Sequence, residues 1–218
     1  MKKLFLLSLI VLFGCSSAEM VDNWKNPDIV IFDASKVLLV GMTQNEDARV
    51  DFESRLKKEF DVRGVESVRS VDVFDVAFTN SKRTEKELDA FEQQLLDKDF
   101  DAILLTKIVG SETKQPLRKT IAQLYREGDG FKEDYRRNQD IYYDEEYYER
   151  YTIYHAETSL YCICVDKERS LIWRGNIDLL DPEDIEKTVE DYVDLIITAM
   201  EEQDLIFRGE KKGGLTGS

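Results

Sequence analysis

Apolar positions recur along this chain with two spacings, and the alternation between them predicts its elements. Val37, Leu38, Leu39 and Val40 form a short, almost wholly apolar run that suits a strand covered on both faces. Asn45 is placed to cap the helix that follows, with Glu46 and Asp47 against its positive end. Ala48, Phe52, Leu56 and Phe60 recur every four residues, which puts them on one buried stripe with Arg49, Arg55, Lys57 and Lys58 mainly off it. Gly64 closes that helical region. Partial alternation over residues 65–76, with Val68, Val71 and Val73 as core candidates, predicts a second strand. Thr84 and Glu87 match a capping box ahead of a helix that buries Leu88, Phe91 and Leu95. Residues 101–109 are again a nearly continuous apolar run.

The pattern changes after Gly110. Residues 111–150 are polar, charged and rich in tyrosine, too long for an ordinary connection. Residues 152–165 alternate as a long strand, and Leu171, Trp173, Ile177 and Leu179 fall on one face of its partner, with residues 166–169 as the polar turn of a hairpin. Asp181 before Pro182 reads as a cap and first helical residue, supported by Glu183 with Lys187. Ile185, Val189, Tyr192, Val193, Ile196, Ile197 and Met200 then trace a broad apolar stripe. The expected fold class is α/β (α+β): a mixed sheet of about five strands, βαβαβ followed by a β-hairpin and a long C-terminal helix. Three of those strands, near 36–42, 67–75 and 101–109, are expected to run parallel.

The amino terminus carries a different message. Lys2 and Lys3 precede ten mostly apolar residues, 4–13, and then Gly14 and Cys15, the form of a secretory signal peptide. Ten residues are about half the ~20 that a helix needs to cross a bilayer. In detail the segment resembles a bacterial lipoprotein signal, which implies cleavage before Cys15 and a diacylglycerol and an acyl group on that residue. Ser16 and Ser17 lack an aspartate that would argue for retention at the inner membrane, so the expected location is the outer membrane. The expected organisation is a signal peptide at 1–14, a lipid anchor and tether at 15–35, one domain at 36–207 with an insertion at 111–150, and a flexible tail at 208–218.

Net charge narrows the partners. The full chain carries −15, and loss of Lys2 and Lys3 makes the mature chain −17. A body this acidic repels phosphate backbones, which disfavours nucleic acid. Cys162 and Cys164 lie two apart on a predicted strand, about 6.6 Å from each other, too far for a disulfide, so both read as small buried hydrophobes.

Several short strings resemble those of small bacterial lipoproteins of unknown function. They are Trp24-Lys25-Asn26-Pro27, residues 37–43 leading to Arg49 and Phe52-Glu53, Gly64-Val65, Thr158-Ser159-Leu160-Tyr161, and Leu171-Ile172-Trp173-Arg174-Gly175. The resemblance implies a fold similar to the amino-terminal domain of TolB and the core of CsgG, envelope components without enzyme activity. The chain has no pair of amphipathic membrane hairpins, so pore formation is not implied.

The sharpest local anomaly is the insertion. Eight of the ten tyrosines fall within residues 125–154, interleaved with carboxylates. Tyrosine offers large contact area at low entropic cost together with a hydrogen-bonding tip. Tyr142, Tyr143, Asp144, Glu145, Glu146, Tyr147 and Tyr148 are therefore the candidate partner-binding residues, for an envelope protein or, alternatively, for a glycan or a metal. The competing reading is that these tyrosines cover the neighbouring hairpin. The same carboxylates lack the glycine turn and alternating oxygens of a calcium loop. Residues 41–45 follow a strand and open a helix, the position where nucleotide folds bind phosphate, but a single glycine reads as an ordinary turn. His155, the only histidine, has no nucleophile in a recognisable motif. No catalytic residue, metal site or cofactor is assigned, and the expected function is binding at the envelope.

Overall fold

The computed structural model describes residues 17–74, 76–79, 81–110, 130–143, 154–163, 170–179 and 184–206. Six strands form one open mixed sheet: β1 Ala18–Lys25, β2 Lys36–Met42, β3 Glu66–Arg69, β4 Ala102–Gly110, β5 Tyr154–Cys162 and β6 Ser170–Leu179. Their spatial order is β1-β6-β5-β4-β2-β3. β2 pairs in parallel with both β3 and β4, while β4, β5, β6 and β1 pair antiparallel in succession. The expected α/β class and mixed sheet are present, with one strand more than the pattern predicts.

Among the described residues, four helices of two turns or more cover the two faces: α1 Glu46–Val62, α2 Glu85–Leu96, α3 Phe131–Asn138 and α4 Ile185–Glu202, with a single helical turn at Val76–Thr79. Strand alternation sends Val37, Leu39, Leu104 and Leu160 to one face, where Phe52, Leu56 and Phe60 of α1 and Val193, Ile196 and Met200 of α4 cover them. Leu38, Val40, Ile103 and Leu105 go to the other face, under Leu88, Phe91 and Leu95 of α2 and Phe131 and Tyr135 of α3. The Asn45 side chain accepts from the Ala48 amide, and the Thr84–Glu87 capping box is complete. Gly64, at φ 74°, takes the left-handed position just beyond α1.

The structure corrects several expectations. Residues 18–25, within the stretch expected to be an anchor and tether, form edge strand β1, antiparallel to β6 from Ala18 opposite Leu179 to Lys25 opposite Trp173. Phe32 and Ala34 of the same stretch are buried, and Phe32 bridges Leu205 beyond α4. The second predicted strand is only four residues long. It stops where the Ser70 hydroxyl and the Val71 amide turn to the Glu53 carboxylate in place of a strand ladder. Leu171 does not share a face with Trp173: a bulge opposite Leu160 and Tyr161 admits Ile172 as an extra residue and sends Leu171 to the other side. The cap of α4 is Asp184, whose side chain accepts from the Lys187 amide; Asp181, Pro182 and Glu183 lie outside the described residues. Cys162 is disulfide-bonded, against its reading as a free buried thiol; Cys164 and Cys15 lie outside the described residues.

Candidate functional site

β2 leads through α1 to β3 on one side of the sheet, and β3 leads through α2 to β4 on the other side. The point between β2 and β4 is therefore a topological switch, where open α/β sheets leave a crevice at the carboxyl ends of their strands. A cavity of about 370 Å³ lies there. The end of β2 and the turn after it, residues 41–45, form one wall, and Ala48, Arg49 and Phe52 of α1 continue it. Ile185, Thr188, Val189 and Tyr192 of α4 face them, Thr106 and Ile108 of β4 make the floor, and Tyr154 and Leu179 stand at the strand ends.

The hydroxyls of Thr106, Thr188 and Tyr192 at this cavity are held in internal hydrogen bonds. Thr106 and Thr158 share a hydrogen bond of 2.7 Å between their hydroxyls, and Thr158 shares another of 2.8 Å with the Tyr192 hydroxyl. Burial pushes the Tyr192 phenol well above its ordinary value, so it stays neutral. The Thr188 hydroxyl donates to the Asp184 carbonyl at 2.7 Å.

Beneath the α1 wall sits Glu53, fully buried and surrounded by donors. Its carboxylate accepts from the Gly41 amide at 2.9 Å, the Arg49 Nε at 3.2 Å, the Ser70 hydroxyl at 2.6 Å and the Val71 amide at 3.0 Å. Arg49 also donates to Ser70 Oγ at 2.7 Å, and its guanidinium lies 5.4 Å from the Tyr142 ring centroid. Sequence periodicity put Arg49 off the buried stripe; the Glu53 carboxylate draws it in. An added Cβ at Gly41 would stand 3.2 Å from the Phe52 ring, so the ring would have to give by a few tenths of an ångström to admit a side chain there.

A second buried polar group lies on the opposite face. Lys107 of β4 pairs with Asp134 of α3 and, at 2.9 Å, with Glu157 of β5; Arg174 of β6 also reaches Glu157 at 2.9 Å and Ser159 at 3.1 Å. Asp134 accepts from the Tyr161 hydroxyl and, at 2.9 Å, from Asn138. Burial alone would raise the Asp134 carboxyl, but the Lys107 charge and the surrounding donors hold it below the usual carboxylate range. Burial beside that carboxylate pushes the Tyr161 phenol far up. Two cations and two anions thus fasten α3 to the sheet. Lys107 interrupting an apolar strand, and Arg174 between Trp173 and Gly175, are the sequence signals that mark this group.

Of the candidate partner-binding residues, Tyr142 and Tyr143 are described. Tyr142 is half-buried against the core and its hydroxyl donates to the Gly41 carbonyl at 3.4 Å. The Tyr143 hydroxyl donates to Asp140 at 3.1 Å, while Lys82 pairs with Asp140 at 2.6 Å and lies 5.7 Å from the Tyr143 ring centroid. Asp144, Glu145, Glu146, Tyr147 and Tyr148 lie outside the described residues, as does Cys15. Tyr135, from the same tyrosine-rich region, is core. His155 pairs with Asp178 across the hairpin. Among the described residues, no group of three or more His, Cys, Asp or Glu side chains is placed to hold a metal ion, and no helix is long and apolar enough to cross a membrane.

The molecule is thus an open-sheet α/β protein with an end-on crevice. No protein-family model matches the chain, and neither does any curated protein. Among solved structures it is similar to the PelC dodecamer from Paraburkholderia phytofirmans, with a TM-score of 0.42 and 10% identity over 86% of this chain and 98% of that one. A point variant of the same dodecamer matches with a TM-score of 0.42 and 8% identity over 86% of this chain and 98% of that one.

Proposed function

We propose that this chain is a lipid-anchored protein of the outer membrane that works by binding a partner protein in envelope assembly or maintenance, without an enzyme activity of its own. The observation that carries the reading is the distance between the anchor residue and the folded body. Ser17 donates to Asp191 of α4 through its amide at 2.7 Å and its hydroxyl at 2.9 Å, and β1 begins at the next residue. Cys15 is two residues earlier, within about 7 Å of chain length. A lipid on Cys15 would therefore hold the globule directly against the bilayer, where it meets other membrane-bound proteins at high local concentration. Binding in place of catalysis is in keeping with the hydroxyls of Thr106, Thr188 and Tyr192 at the crevice, which are held in internal hydrogen bonds.

The test has two arms. Mass spectrometry of the mature amino terminus should find an acylated Cys15, and Cys15→Ser should move the protein out of the membrane fraction; an unmodified terminus defeats the anchor. Crosslinking in intact cells should attach envelope proteins to the wild-type chain, and replacing Tyr143, Tyr147 and Tyr148 by serine should reduce those adducts while circular dichroism is unchanged. Retention of every adduct by the folded variant would remove this surface from the reading.

A further inference from the structure

We infer that the crevice between the amino-terminal ends of α1 and α4 receives one acyl chain of the lipid on Cys15 of the same molecule. The inference rests on the proposed lipidation and concerns where one of the attached chains goes.

The crevice is built for carbon. Phe52, Ile108, Leu179, Ile185 and Val189 present hydrocarbon to it. The hydroxyls of Thr106, Thr188 and Tyr192 already take part in hydrogen bonds with Thr158 or Asp184. The helix start nearby favours no anion, because Asn45 caps it and Glu46 and Asp47 follow. A ligand without polar groups would leave these internal bonds intact, whereas a polar one would compete with them.

Its position matches the origin of the lipid. Ala18 is the register partner of Leu179, and Leu179 is also paired with Tyr154; both of these line the crevice. Asp191, which holds Ser17, is the neighbour in sequence of the wall residue Tyr192. The chain leading back from Ser17 to Cys15 thus starts at the same end of the sheet as the cavity mouth. At that mouth Ile185 is 45% exposed and Tyr154 36%, an apolar rim beside the attachment point. A volume of about 370 Å³ is near the lower limit for ligand sites and suits one slender chain, leaving the others to hold the bilayer. Moving a chain between two apolar surroundings costs little, so tethering decides occupancy.

The full-length protein in its native membrane, carrying p-benzoylphenylalanine in place of Ile185, would be irradiated and its peptides analysed by mass spectrometry. Val62, 69% exposed at the far end of α1, serves as the control position, and replacement of Val189 provides a second, deeper probe. The expected adduct joins the α4 peptide to the acylated peptide beginning at Cys15, in a yield on the order of tenfold above the control, because the tether raises effective concentration. If Cys15 carries no acyl group, the anchoring reading fails and takes this one with it. If Cys15 is acylated but both probes capture only phospholipid, only a partner protein, or nothing above the Val62 control, this inference alone is overturned.

Discussion

The indole of Trp173 lies over Gly175, two residues further along β6, so closely that a Cβ at residue 175 would stand 2.5 Å from the ring. Both residues point to the face covered by α4, and Trp173 is completely buried there. The glycine is thus the seat of the largest side chain in the core. Gly175→Ala should destabilise the domain by about 1–3 kcal/mol through overpacking, and Trp173→Ala by about 3–5 kcal/mol. Trp173→Phe should cost less than the alanine variant, because the Trp173 Nε1 donor is buried without a partner and phenylalanine removes it. Denaturant midpoints of the three variants check the order.

Glu53 and Arg49 join β2, α1 and the turn after β3 through one carboxylate. Glu53→Ala leaves the Arg49 guanidinium and the Gly41 amide without that carboxylate in a buried site. A loss of about 3–5 kcal/mol is expected, as for a broken buried pair. Glu53→Gln keeps the shape, removes the charge and should fall between wild type and alanine in equilibrium unfolding.

Asp134 supplies an acid-sensitive fastening for α3. Its carboxyl is held below the usual range in the folded protein by Lys107 and nearby donors, in spite of burial. The stabilisation it contributes is complete above the unfolded value of about 4 and is lost as the pH falls below that, through the depressed folded value. Hydrogen exchange of residues 131–138 should therefore accelerate on acidification, and Asp134→Asn should abolish most of that dependence while weakening α3 at neutral pH.

Asp191 should control the start of β1. Asp191→Ala removes the acceptor for Ser17, so amides 17–20 should lose protection in hydrogen exchange while the α4 core, with Val193 and Ile196, keeps it. Loss of protection throughout α4 would show that Asp191 supports the helix as a whole.

Tyr142 should behave as a packing residue. It contacts the core, donates to Gly41 and faces Arg49, so Tyr142→Ser should lower the melting temperature. Tyr143→Ser, changing a local contact with Asp140 and Lys82, should leave the unfolding free energy within about 0.5 kcal/mol of wild type.

Periodicity by itself determined the elements whose burial follows from local spacing: β2, α1, α2, β4, the hairpin and α4, with the Asn45 cap and the Thr84–Glu87 box. These depend on contacts a few residues apart, or on apolar stripes that any core would bury. The resemblance of the amino terminus to a lipoprotein signal was likewise legible as an expectation, because such a signal is a linear pattern. Edge strand β1 was not, since its half-exposed residues carry no strong alternation and its pairing with β6 spans most of the chain. The position of Leu171 depended on a bulge, which a strict period of two cannot express. The crevice combines the turn after β2 with residues of α1, β4, β5, β6 and α4, and the Lys107–Asp134–Glu157–Arg174 group draws on three strands and α3. Their partners are far apart in sequence, so only the tertiary fold could bring them together, and only burial could turn surface-like charges such as Arg49 and Lys107 into internal ones.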